Sequence, residues 1–221
     1  LQRCADLYWE KYKSLFFCTE DFSTPEKKKA MCRRNMQRYQ KKTLENYDKI
    51  IGGYKNYPRY DEILYAAGLY RMELEKHKKA VRHFKEIIQF YPDSERVPEA
   101  WFQLGEYFFN VEASADKALQ AYQFSTKKTG TFIYPFSIHM QGWCYINKGQ
   151  WADALKKFKE TIYLTCTASG SRGKAWKPIC KDGRRDYVRA YSNVGDVKTA
   201  IADFRKIGGP QNYRKMMENL G

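Results

Sequence analysis

Three stretches of the chain repeat one arrangement of small and apolar positions. Gly68 is followed by Ala80, Phe84 and Pro92; Gly105 by Ala118, Tyr122 and Gly130; Gly142 by Ala154, Phe158 and Cys166. The glycines fall at a constant interval, with a small residue 12 or 13 positions later and an aromatic four after that. Such spacing predicts pairs of antiparallel helices. Gly in the first helix and Ala in the second permit close approach, and the aromatic fills the space beside them. A Pro just past the second helix stops it. One pair cannot bury its apolar face alone, so the pairs must stack. At the N-terminus, Leu7, Tyr8, Tyr12, Leu15 and Phe16 predict a short helix over 5–17. Ser23-Thr24-Pro25-Glu26 opens a second helix that runs to about Ile51 and ends at Gly52-Gly53.

The repeated residues resemble the tetratricopeptide repeat, whose pattern is W-x2-L-G-x2-Y, then Ala, Phe and Pro. Trp101, Leu104, Gly105 and Phe108 carry its first half; Ala80, Phe84 and Pro92 carry its second, with Leu64, Ala67 and Gly68 before them. The third unit has Gly142, Tyr145, Ala154 and Phe158, with Ile138 in place of Trp and Gln141 in place of Leu. A degenerate fourth unit runs through Tyr187, Tyr191, Ala200 and Phe204, with Val188 at the glycine position. The family's period is about 34. The longer interval here predicts longer turns between repeats. The turn phrases around Pro58 and from Tyr91 to Ala100 are similar to those of bacterial cell-envelope members, such as the outer-membrane assembly lipoprotein and the Tol–Pal coordinator.

The predicted fold is therefore all-α: a right-handed α-solenoid of helix pairs with an N-terminal helical cap, ten or eleven helices in total. The expected division is 1–56 for the cap and an incomplete repeat, 57–164 for three repeats, 165–183 for an inserted basic loop, and 184–221 for the degenerate repeat and a C-terminal helix. The loop assignment rests on the Gly, Ser and Pro content between Thr165 and Gly183.

With 221 residues the chain can bury a core without metals or disulfides. The longest uncharged stretch, Thr129 to Asn147, holds Pro135, Ser137, His139 and Gln141, and does not read as a membrane span. The chain begins at Leu1 without a leader pattern, which reads as a processed form or a piece of a longer protein. Localisation in the periplasm or cell envelope is the expectation from the resemblance, with the cytoplasm as the alternative.

No nucleotide, hydrolase or zinc-protease signature is present, so no enzymatic activity, cofactor or metal site is expected. His77, His83 and His139 lack ligand spacing and read as structural or surface residues. The six cysteines are more informative. Cys18 and Cys32 flank the first turn, and Cys166 and Cys180 flank the inserted segment, with equal separations. As disulfides they would staple irregular segments by about 3 kcal/mol each and imply an oxidising compartment. Spacing alone leaves six reduced thiols equally open. Cys144 reads as a core thiol.

The resemblance implies that the first helix of each pair lines a concave groove. Carried onto this chain, the inner positions are Tyr65, Leu69 and Met72; Phe102, Glu106 and Phe109; His139, Trp143 and Ile146; and, in the fourth unit, Arg185, Arg189 and Ser192. Most of the first nine are apolar, and no carboxylate clamp of Lys, Arg and Asn appears. The groove is thus expected to hold an apolar or helical segment of a protein partner. The alternative is that the N-terminal helix, through Leu7, Trp9, Tyr12 and Phe16, fills it.

Lys and Arg exceed Asp and Glu by 40 to 25, a net charge of +15. The excess is clustered. One cluster holds Lys27, Lys28, Lys29, Arg33, Arg34, Arg38, Lys41, Lys42 and Lys49. The other, over 172–189, includes Arg172, Lys174, Trp176, Lys177, Arg185 and Arg189 against Asp182 and Asp186. These patches suit an anionic polymer such as glycan, lipid headgroup or nucleic acid as a second function class. Nucleic acid ranks low because no reading motif accompanies the charge. An interaction scaffold is the primary reading.

Overall fold

The computed structural model describes residues 1–20 and 23–220, apart from the side chains of residues 16 and 17. Among them are ten helices and no strand: α1 Gln2–Glu20, α2 Glu26–Gly53, α3 Tyr60–Glu73, α4 His77–Phe90, α5 Val97–Asn110, α6 Ala115–Ser125, α7 Tyr134–Asn147, α8 Trp151–Cys166, α9 Gly170–Val194 and α10 Ala200–Glu218. The chain forms two compact units, Leu1–Arg96 and Val97–Gly221.

In the first unit, α1 pairs with α2 and α3 with α4. Ala5 packs with Tyr47, Ile50, Ile63 and Ala67 in one apolar cluster. The rings of Trp9 and Tyr70 lie 4.5 Å apart, and Asp6 accepts hydrogen bonds from the hydroxyls of Tyr47 and Tyr70. Burial, before any other cause, raises the pKa of both phenols. α1 therefore meets α3 through Ala67 and Tyr70, the face on which one helix pair stacks on the next, and α1–α2 stands where a preceding repeat would. Trp9 is spent on this stacking and Leu7 is exposed. The side chain of Phe16 lies outside the described residues. Arg71 is almost fully buried beneath α2, donating to the Ala67 carbonyl and pairing with Asp48.

In the second unit, α5–α6 and α7–α8 repeat the α3–α4 arrangement. A Cβ on Gly68 would come within 2.5 Å of the Phe84 ring, one on Gly105 within 2.4 Å of Tyr122, and one on Gly142 within 2.6 Å of Phe158. Each ring is fully buried. The predicted glycine–aromatic contact thus recurs in all three pairs. Gln141, which departs from the repeat pattern, donates to the Tyr122 carbonyl at 3.2 Å near the end of α6. Its amide adds a second donor to a carbonyl that also accepts from the Thr126 N–H, a bond a Leu could not make.

The expected inserted loop is not a loop. Gly170 begins α9, a 25-residue helix that includes Pro178. Its buried positions, Trp176, Ile179, Cys180, Gly183, Tyr187 and Tyr191, recur three and four apart. They lay one stripe along α8, and a Cβ on Gly183 would sit 3.3 Å from Thr161 and Ile162. Packing on α8 overrides the weak local propensity of the Gly- and Ser-rich start. The fourth pair closes without a glycine: Val188 is buried, and the rings of Tyr191 and Phe204 meet at 4.9 Å.

Both expected disulfides are present, Cys18–Cys32 between α1 and α2 and Cys166–Cys180 between α8 and α9. Cys4 is exposed and Cys144 buried as free thiols. No helix of the described residues is long and apolar enough to cross a membrane.

Candidate functional site

Within the second unit, α7 lies next to both α5 and α9. These are the first helices of successive pairs, so their outward positions form one inner face. α5 contributes Phe102, Glu106 and Phe109, all half-buried. Phe102 and Phe109 rest on the cluster of Ala118, Leu119, Tyr122 and Cys144, with the Phe102 and Tyr122 rings 5.6 Å apart. Tyr122 donates its hydroxyl to Glu106 Oε1 at 2.5 Å, and Asn110 Nδ2 donates to Oε2 at 3.4 Å. Burial nevertheless pushes the Glu106 carboxyl above the usual range, outweighing both hydrogen bonds. The Cys144 thiol beneath it is pushed up to about 12, by burial first and then by the Glu106 charge.

α7 contributes Trp143 and Ile146, both half-buried against the core of α8, α9 and α10. His139 departs from the expectation. It is only 7% exposed. Its Nε2 lies 2.9 Å from Oδ2 of Asp186, a carboxylate with no exposure at all. Trp143 Nε1 donates to the same oxygen at 3.2 Å, and Arg185 Nε donates to Oδ1 at 3.1 Å. Burial alone would raise the Asp186 carboxyl. The hydrogen bonds from His139 and Arg185, with their charges, win and hold it below the ordinary value. The ionised carboxylate then accepts from all three donors. The Arg189 guanidinium lies 5.1 Å from the centre of the Trp143 ring. Trp143 is thereby fixed from two sides, by a hydrogen bond at its edge and a cation on its face.

Asp186 is the residue that sequence reasoning missed. In the sequence it reads only as an acid opposing the basic run. Its place three after Gly183 and four before Ala190 puts it on the buried stripe of α9, a signal visible once the segment is read as helix.

The remaining predicted residues divide. Tyr65, Leu69 and Met72 are half-buried on α3 in the first unit, where Tyr65 lies 6.0 Å from the Phe84 ring and beneath the Arg96 guanidinium. In the basic run of α9, Trp176 is 8% exposed and packs near Phe132, so it offers no stacking platform. Arg172 donates to the Gly130 carbonyl at 3.2 Å and lies over Trp176. Arg185 also pairs with Asp182 at 3.0 Å. Lys174, Lys177 and Lys181 remain exposed. On α2, exposed Lys27, Arg34, Arg38 and Lys41 follow one helical ridge with exposed Met31. Among the described residues no group of three or more His, Cys, Asp or Glu is placed to hold a metal ion.

Comparisons with known proteins bear on the scaffold rather than the site. Residues 62–94 and 137–164 match the tetratricopeptide repeat. No curated protein matches the chain. Among solved structures, the fold is similar to that of the MamA protein, with a TM-score of 0.55 and 14% identity over 100% of this chain and 91% of that one. It is also similar to the C-terminal part of a TPR repeat-containing protein from Cytophaga hutchinsonii, with a TM-score of 0.51 and 14% identity over 100% of this chain and 94% of that one. The two matched segments contain the Gly68–Phe84 and Gly142–Phe158 contacts, so sequence and packing agree on the repeat. The chain is all-α, and two of its helix pairs match the tetratricopeptide repeat.

Proposed function

We propose that the protein is an interaction scaffold whose inner face, on α5, α7 and α9, holds an apolar or helical segment of a protein partner. The observation that carries this reading is the fixed setting of Trp143. A half-buried indole held at its edge by Asp186 and on its face by Arg189 loses little entropy on contact, which is what a binding anchor requires. Phe102 and Phe109 extend the apolar strip along α5, and Arg185 and Arg189 form a basic rim on α9 suited to an acidic flank of the partner. The setting we propose is the bacterial cell envelope; two disulfides fit an oxidising compartment such as the periplasm.

The test is partner capture from envelope extract by the wild-type chain and by the Phe102→Ala/Trp143→Ala double variant. Each anchor contributes roughly 2 kcal/mol if it is a hot spot. Capture should fall steeply in the double variant while its circular dichroism is unchanged. Capture undiminished in a folded double variant overturns the reading. A second reading, binding of an anionic polymer, is supported by the exposed ridge of Lys27, Arg34, Arg38 and Lys41 on α2. It requires affinity that falls log-linearly with salt. The inner-face reading requires a weak salt dependence.

A further inference from the structure

The C-terminal helix carries a second constellation, distinct from the inner face. α10 is broken at Gly209, which stands at φ 68° and ψ 180°, a region open essentially to glycine alone. The helix resumes at Pro210, whose fixed φ suits a first helical position. Across this bend Tyr213 is flanked by two arginines. The Arg205 guanidinium lies 4.8 Å from the centre of its ring and that of Arg214 lies 6.0 Å away. Arg214 Nε donates to the Tyr213 hydroxyl at 3.3 Å. Arg205, Pro210, Tyr213 and Arg214 line an open cleft of about 420 Å³, within the ~300–1,000 Å³ of small-ligand sites.

What the cleft lacks is an anion of its own. Among the described residues neither Arg205 nor Arg214 pairs with a carboxylate. The nearby Asp203 is already held by the hydroxyls of Tyr191 and Thr199, at 2.7 and 2.9 Å. Arg71 and Arg185, by contrast, are neutralised where they pack, by Asp48 and by Asp182 and Asp186. Here two like charges are gathered on a single phenol. The phenol registers them: hydrogen bonds from Arg214 and then Arg205 hold Tyr213 below its ordinary pKa. Guanidinium forks match the oxygens of a phosphoryl group, and a dianion matches two cations where a carboxylate matches one.

We infer that the cleft at the α10 bend binds a phosphoryl group, the dianion of a phosphate monoester, between Arg205 and Arg214 with the Tyr213 hydroxyl as a further donor. The site shares no residue with the inner face, so the two readings stand or fall separately. The test is titration of the full chain with inorganic phosphate and with phenyl phosphate, followed by backbone amide shifts at constant ionic strength. Saturable shifts centred on 205–214 are expected, with affinity lowered about tenfold in Arg205→Ala and in Arg214→Ala. Arg205→Lys should fall between the wild type and Arg205→Ala, and Lys177→Ala, on the exposed side of α9, should leave the affinity unchanged. Both arginines are exposed, and circular dichroism checks that the variants fold. Acetate should bind several-fold more weakly. Acetate binding as tightly as phosphate would assign the cleft to a carboxylate and overturn the inference. Shifts that do not saturate, or that spread evenly over the lysines of α9, would reduce it to general charge attraction and overturn it as well.

Discussion

His139 on α7 and Asp186 on α9 meet at 2.9 Å inside the second unit, and this pair joins two consecutive repeats at the back of the inner face. Removing the acid leaves the His139 ring and the Trp143 indole N–H without their acceptor. Breaking a buried pair from one side costs about 3 kcal/mol or more. Asp186→Ala should therefore lower the urea midpoint strongly, with the slope unchanged. The acid dependence follows from the depressed carboxyl. Its stabilisation is present above the unfolded carboxylate value, about 3.9, and is lost as pH falls through the lower folded value. Asp186→Asn should flatten that acid limb; an unchanged limb would place the effect elsewhere.

His83 in the first unit gives a different pH window. Burial first, then the charges of Arg71 and Arg82, push its imidazole down to about 4. The unfolded chain takes up this proton near pH 6.5, while the folded chain resists it until about 4. The contribution is therefore fully present above the unfolded value and is lost as pH falls from there toward 4. Ring chemical shifts of His83 should stay at neutral values at pH 5. A midpoint near 6.5 would contradict the buried, neutral ring.

Gly142 and Phe158 test the repeat contact. A methyl at position 142 comes within 2.6 Å of a ring that is buried on all sides. Overpacking of this kind costs about 1–3 kcal/mol. Gly142→Ala should lower the melting temperature, and Phe158→Leu in the same chain should recover part of the loss. Gly52→Ala, where nothing lies within 4 Å of the added carbon, is the control and should not destabilise.

The thiols separate by reactivity. Cys4 is exposed, whereas Cys144 is buried with its thiol pushed up to about 12. Thiolate is the reactive form, so native protein should alkylate at Cys4 alone. Denaturation without reductant should add Cys144, and reductant should release the remaining four. Six free thiols before reduction would remove both disulfides and, with them, the physical support for an oxidising compartment.

Much of the scaffold was legible from local periodicity. Gly68, Gly105 and Gly142, each followed by its Ala and aromatic, announce pairs of close-packed helices. The reason is that a glycine facing a ring leaves the same short-range signature wherever the pair occurs. The inner face was legible only in part. Phe102, Phe109 and Trp143 are where the repeat register puts them, whereas His139 is drawn inward because an acid waits on α9.

The amino-acid sequence by itself determined the helix pairs, their all-α stacking and the cysteine pairs that could close, since these depend on residues a few turns apart. Only the tertiary structure decided that 170–194 is a helix, that Asp186 is buried between repeats, and that Arg205 and Arg214 gather on Tyr213 across a bend. The local composition of α9 argues against helix, and its buried stripe shows its meaning only against α8. A carboxylate's role likewise depends on which donors surround it, and two of the three donors to Asp186 lie 43 and 47 residues away in the chain.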